Sequence, residues 1–318
     1  MKKRKLATKF LALTMALTAA VGLTGCANTK PAGEQVKDIA EAVKSGDSEI
    51  FFKSMDKSER FDSYFDAVQN KPDSGLASVY VKLQEKMQGV TVELDEKDDS
   101  FDIYAEISSY DAYSAAVSKM YEAAQEGPEA FADMPTWLSA ALDEAEEYTE
   151  TAKFDARKDS STLRYEFGAN KEFFKMITCG LYDFMNATMT TCSDDEGAIC
   201  FVSQGDKVIF AADFYYYSME EFGFTEEDAQ YVIDELLKEY EDKEGIYADA
   251  KFDGQGISEF VLISLDSASS WDLKQLGFIT STQTDYISLE QSIEGFEAEG
   301  MTCVTETFGI TTDEETEK

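Results

Sequence analysis

The chain contains no histidine among its 318 residues. That excludes Ser-His and Cys-His nucleophile pairs, histidine-held zinc or iron, and the side chain most used for proton transfer near neutral pH. Carboxylates, thiols and aromatic rings remain. Paired carboxylates can hydrolyse glycosides or hold calcium, but among 64 acidic side chains close pairs arise by chance. Neither Asp95 to Asp99 nor Asp194-Asp195-Glu196 has the spacing of a calcium loop, so both read as turns. Gly-Lys-Ser/Thr phosphate loops and Gly-x-Gly-x-x-Gly fingerprints are missing. No catalytic residue, metal site or cofactor is therefore expected. Besides Cys26, the thiols are Cys179, Cys192, Cys200 and Cys303, an even number that permits two disulfides in an oxidising compartment. Cys192 and Cys200 flank the acidic turn and can face each other across a hairpin; Cys303, on the terminal strand, is a competing partner. Buried free thiols are the other option.

The strongest aromatic pattern is strand-like. Alternation from Val208 to Ser218 puts Val208, Phe210, Ala212, Phe214 and Tyr216 on one face and Ile209, Asp213, Tyr215 and Tyr217 on the other. Rings on a strand more often pack a sheet than bind sugars or cations. Tyr215 and Tyr217 are nevertheless the candidate ligand-facing aromatics.

The elements that would position these residues begin with helical spacing at Val36, Ile39, Ala40 and Val43, closed by Ser45-Gly46-Asp47. Further stripes run through Phe61, Tyr64, Phe65 and Val68, then through Leu76, Val79, Tyr80, Leu83 and Met87, with Gly89 as terminator. The period then changes to two. Val90 to Leu94 and Phe101 to Ile107 flank Lys97-Asp98-Asp99 as a hairpin. Helices are expected over 113–124 and 136–145, and a second alternating pair over 148–157 and 162–167 about Asp159-Ser160. A last helix spans 171–185. Thr225 and Ser288 are expected helix caps, Ser288 pairing with Gln291 at capping-box spacing. The fold class is thus α+β: two domains, each a small antiparallel sheet packed with helices, over 34–186 and 187–306, with an acidic tail over 307–318. At about 115 residues the second is long enough to bury a core of its own and is expected to fold alone.

The amino terminus carries Lys2, Lys3, Arg4, Lys5 and Lys9, followed by a charge-free stretch from Phe10 to Leu23. A basic segment and then an apolar run too short to span ~30 Å of hydrocarbon is the layout of a secretory signal. Leu23-Thr24-Gly25-Cys26 resembles the bacterial lipobox. The resemblance implies a signal peptide over 1–25, cleavage before Cys26, lipid (palmitate among its acyl chains) on that thiol, and a tether over 26–33. The chain is then a lipoprotein held at the outer, extracytoplasmic face of the cell membrane through Cys26, where two or more acyl chains suffice for lasting attachment. Loss of the signal would leave 23 basic against 64 acidic residues. Such a surface is repelled by nucleic-acid phosphate and anionic lipid head groups, so nucleic acid is excluded as a partner.

Two further resemblances follow from ordered pieces. Val36-Lys-Asp-Ile-Ala-Glu-Ala-Val-Lys-Ser-Gly-Asp47 resembles the first helix of NTF2-like lipoprotein domains. From Ala187 to about Thr305 the chain resembles the YehR-like family of small bacterial lipoproteins, whose function is unknown. The matching pieces are Gly205-Asp206-Lys207-Val208, Phe224-Thr-Glu-Glu-Asp-Ala with Leu236 to Tyr240, Lys243-Glu244-Gly245, Asp272-Leu273-Lys274, and Ser288-Leu-Glu-Gln-Ser up to Glu299-Gly300. That family lends no catalytic residues. The expected function is a non-enzymatic surface lipoprotein that binds an extracellular ligand or an envelope protein; the alternative is an envelope-polymer hydrolase using paired carboxylates.

Overall fold

The computed structural model describes residues 32–55, 59–71, 75–94, 102–155, 168–195, 197–279 and 286–306. Helix α1 (Ala32–Ser45) buries the expected stripe of Val36, Ile39, Ala40 and Val43. Asp47 then caps α2 (Ser48–Ser54) by accepting from the Ile50 amide at 2.9 Å. Helices α3 (Glu59–Asn70) and α4 (Gly75–Met87) bury the next two stripes, and the Tyr64 hydroxyl donates to the Val43 carbonyl at 2.8 Å. Gly89 is needed for space, since a Cβ there would lie 2.3 Å from the Tyr110 hydroxyl.

Strands β1 (Thr91–Leu94), β2 (Asp102–Asp111) and β3 (Glu146–Asp155) form an antiparallel sheet in that order, β2 pairing with β3 from Asp102↔Asp155 to Asp111↔Glu146. The described part of the expected strand, 148–155, pairs with β2; residues 156 and 157, the partner expected at 162–167, and Asp95 to Asp99 lie outside the described residues. Between β2 and β3 run α5 (Ala112–Glu126), α6 (Pro128–Ala132) and α7 (Met134–Glu144). The short α6 arises where Gly127, at φ +119°, ends α5 and Pro128 restarts a helix. The single helix expected over 171–185 is broken. After α8 (Lys171–Ile177), Cys179 and Gly180 take φ +54° and +83°, and Leu181–Phe184 forms a separate 3-10 turn. Gly180 approaches Tyr113 so closely that a Cβ would sit 2.9 Å from the tyrosine Cβ.

The larger sheet comprises β4 (Thr188–Ser193), β5 (Gly197–Gln204), β6 (Lys207–Ser218), β7 (Ile246–Phe252), β8 (Gly256–Ser264) and β9 (Thr302–Glu306). Its order is β7-β8-β6-β5-β4-β9, antiparallel throughout. The pairings Val202↔Phe210 and Ser203↔Val208 leave Ile209 as an extra residue. This bulge interrupts the alternation at the start of β6: Val208 joins the outer cluster and Ile209 the inner one, the reverse of the simple pattern.

The amino-terminal helices cover one face of this sheet. Phe184 stacks on Phe210 at 5.7 Å and 7°, Phe131 meets Phe214 edge-on at 5.9 Å, and Tyr121 meets Phe260 at 5.4 Å. One continuous buried cluster runs from Val36 to Leu262. The expected boundary at 186/187 thus separates two sheets but not two cores, because the face of the larger sheet that would have to be self-sufficient is filled by α5, α6 and the 181–184 turn. A buried polar knot fastens the same junction. Asp183 is ion-paired to Lys171 and Lys175 at 3.1 Å each and to Arg60 at 3.9 Å, while the Gln204 amide donates to the Asp183 carbonyl. The opposite face is covered by α9 (Met219–Phe222), α10 (Ala229–Leu237), α11 (Ser270–Gln275) and α12 (Leu289–Glu299), over three smaller clusters. Thr225 and Asp228 exchange cap hydrogen bonds before α10, and Ser288 Oγ accepts from the Gln291 amide at 3.2 Å at the start of α12. The architecture is α+β with two antiparallel sheets.

Candidate functional site

At one end of the larger sheet, where β6 and β7 finish and β5 and β8 begin, a cleft of about 680 Å³ lies against the α5–α6 junction. Strand alternation supplies its floor: Phe214 and Tyr216 from β6 and Phe260 from β8 point to the helix-covered side. The helices stop short of this end because Gly127 turns the chain, leaving Tyr216 38% exposed. Two glycines shape the floor. A Cβ on Gly197 would lie 2.4 Å from the Phe214 carbonyl oxygen, and one on Gly256 would lie 2.6 Å from the Tyr216 ring.

The rim is acidic. Asp194 and Asp195 come from the β4–β5 turn, Asp249 from β7 and Asp253 from the β7–β8 turn; Lys251 is the one cation among the described lining residues. Three of the rim carboxylates are held by hydrogen bonds. Asp194 accepts from the Gly197 amide at 3.0 Å, and Asp249 from Gln125 at 2.8 Å, which ties α5 to the sheet. Asp253 accepts from the amides of Gln255 and Gly256 at 2.8 and 2.9 Å and from the Tyr216 hydroxyl at 3.3 Å. Those amide donors hold its pKa below the ordinary aspartate value. The cleft presents negative charge around an aromatic floor, which suits a ligand with a cationic group beside an apolar one.

Asp194 and Asp195 sit in a turn, as their sequence context suggests, and also line the cleft. Tyr215 and Tyr217 have their rings together near α9: the centroids are 4.6 Å apart with the planes tilted at 52°, and Phe222 lies 5.0 Å from Tyr217. The Tyr217 hydroxyl donates to Glu259 at 2.8 Å. Tyr215 also lines the cleft, but the aromatic most exposed there is Tyr216, which alternation assigns to the packing face. Its exposure depends on where the helices end, and no local pattern records that. Cys192 is bonded to Cys303 with an S–S distance of 2.05 Å, because β4 and β9 place the two directly opposite. The competing pairing with Cys200 is not made: Cys192 faces Ile199 in the β4–β5 register, and the Cys200 thiol is free and buried beside Thr191. Cys179 is also free and buried. Cys26 lies outside the described residues.

Fold and cleft together define an α+β protein in which helices cover both faces of an antiparallel sheet. Residues 191–302 match a family described as "Protein of unknown function (DUF1307)". Similar solved structures include an NMR structure of the E. coli YehR protein, at 21% identity and a TM-score of 0.32, covering 37% of this chain and 90% of that one. A second is an NMR structure of a protein from Streptococcus pneumoniae TIGR4, at 12% identity and a TM-score of 0.26, covering 37% of this chain and 84% of that one. No curated protein matches the chain. The family match agrees with the YehR-like resemblance of the carboxy-terminal region, and it assigns no activity.

Proposed function

We infer that this protein is a non-enzymatic binding lipoprotein, anchored by lipid on Cys26 at the extracytoplasmic face of a cell membrane, with the end-of-sheet cleft as its ligand site. The resemblances to lipobox, YehR-like and NTF2-like lipoproteins support the location and class. One observation carries the binding role: an aromatic floor of Phe214, Tyr216 and Phe260 inside an aspartate rim. A basic segment of a peptide or envelope protein carrying an aromatic or aliphatic residue matches that lining. The hydrolase reading is weaker, since Asp194 and Asp253 are bound to turn amides and Asp249 to Gln125.

The test is calorimetric titration of the mature chain with a lysine–phenylalanine peptide at physiological salt, with a glutamate–phenylalanine peptide as control. Selective binding that weakens roughly tenfold in Asp249→Asn/Asp253→Asn is expected, as loss of facing charges predicts. Equal binding of both peptides, or no effect of the variant, would sink the reading. The anchor is tested separately by labelling cells with a palmitate analogue; Cys26→Ala should take up no label.

A further inference from the structure

Strand β7 ends the larger sheet, and its outer edge is unpaired among the described residues. Two hydrogen bonds fix which of its backbone groups face inward: the Asp253 amide donates to the Gly256 carbonyl at 3.1 Å, and the Ser264 amide to the Gly245 carbonyl at 2.7 Å. Bonded positions alternate along an antiparallel pair. Gly245, Tyr247, Asp249, Lys251 and Asp253 therefore turn their backbone groups to β8, and Ala248, Ala250 and Phe252 turn theirs outward. The outward Ala250 amide finds its acceptor in the neighbouring carboxylate, Asp249 Oδ1, at 2.9 Å. Side chains alternate as well. Asp249 and Lys251 project to the cleft side. Tyr247 shares that side, 6.5 Å from Tyr121 of α5 and 44% exposed, while Ala248 and Ala250 belong to clusters of the opposite face.

An open strand edge is a template for another strand, and its charges decide which strand. Here they match a second copy of β7. Antiparallel pairing centred on Ala250 sets Ala250 opposite Ala250 and Ala248 opposite Phe252, so outward backbone groups meet outward backbone groups. The same register sets Asp249 opposite the partner's Lys251, twice over, at the non-bonded positions where facing side chains come closest. A slip of two residues in either direction would oppose Asp249 to Asp249 or Lys251 to Lys251. We propose that β7 pairs with β7 of a second copy across a two-fold axis in this register, joining the two six-stranded sheets into one. The Ala250 amide then passes from Asp249 to the carbonyl of the partner's Ala250. The freed carboxylate meets the partner's Lys251, which becomes part of the cleft rim. Each chain carries a formal charge of -36, which opposes approach, and a pair of seven-residue strands is a small interface, so the dimer is weak. The pairing does not depend on what the cleft binds.

The experiment is sedimentation equilibrium of the full mature chain at physiological salt, with concentrations reaching the millimolar range. A reversible monomer–dimer equilibrium is expected, and the Ala248, Ala250 and Phe252 amides should gain hydrogen-exchange protection as concentration rises. Asp249→Lys and Lys251→Asp each place like charges opposite one another and should weaken dimerisation about tenfold or more. Combined in one chain, they restore opposite charges and should recover it. Lys251 is exposed, so Lys251→Asp should keep its Tm and the comparison is between folded chains. A chain that is monomeric at every concentration overturns the proposal, as does a dimer that the single variants leave intact or the double variant fails to restore. Protection of the same amides by an added lysine-rich peptide, without self-association, would assign the edge to a foreign strand and likewise overturn it.

Discussion

Glu259 and Asp213 are the residues at which the fold works against itself. Burial is the first cause of the raised pKa of both; Tyr217 offsets it in part for Glu259, while Asp213 and Glu239 add repulsion. The folded state therefore holds these protons more tightly than the unfolded chain. Their contribution to stability is lost as pH rises from the ordinary values of 3.8 and 4.5 through the raised native ones. Glu259→Gln should consequently stabilise the unliganded protein by about 1 kcal/mol at pH 7.5 and have little effect at pH 4; urea unfolding at the two pH values checks the difference. Asp183 is the opposite case, a buried carboxylate met by three cations. Asp183→Ala would strand Lys171 and Lys175 and is expected to cost about 1–3 kcal/mol, below the full value of a buried pair because both lysines are partly exposed. The two free thiols are inert for a simple reason. Burial pushes Cys179 up to about 12 and Cys200 to about 11, so neither has appreciable thiolate at neutral pH.

At the scale of elements, β9 is the most dependent. It is five residues long, pairs with β4 alone among the described residues, and its exposed residues gain little from burial. The Cys192–Cys303 bond holds it in place and closes a sequence separation of 111 residues. Cross-linking that span restricts the unfolded chain by up to ~4.7 kcal/mol in the entropic treatment. Cys303→Ser should cost about 2–4 kcal/mol. Native-state hydrogen exchange should show β9 losing protection first while the β5, β6 and β8 amides keep theirs. Uniform loss across the sheet would mean that the bond supports the whole fold and not its edge.

For the whole molecule, the central fact is the core shared across residues 186 and 187. Phe210, Phe214, Phe260 and Leu262 are buried on the sheet face covered by the amino-terminal helices. Each such side chain contributes about 1.5–3 kcal/mol when removed from water, and the ring pairs add about 0.5–1.5 kcal/mol each. A fragment of residues 187–306 would expose that face together with Cys200 and Val202. It is expected to aggregate or to unfold without cooperativity and bind a hydrophobic dye, whereas the mature chain should melt in one transition. A soluble, cooperatively melting fragment would show instead that the helical layer is dispensable.

Periodicity alone determined much of this. The stripes of α1, α3 and α4, the change to period two at β1 and β2 and the caps at Thr225 and Ser288 are all local, because each depends on residues within a few positions of one another. The absence of histidine likewise needed only the sequence. Three features required the tertiary structure. The break of the 171–185 helix follows from the approach of Gly180 to Tyr113, residues far apart in the chain. The choice of Cys303 over Cys200 follows from strand order and register, which place β9 beside β4. The cleft follows from where α5 and α6 end over the sheet, which decides that Tyr216 is exposed while Tyr215 and Tyr217 are packed. Alternation assigns a side chain to a face of a strand, but only the packing of distant segments determines which face is covered and how far along.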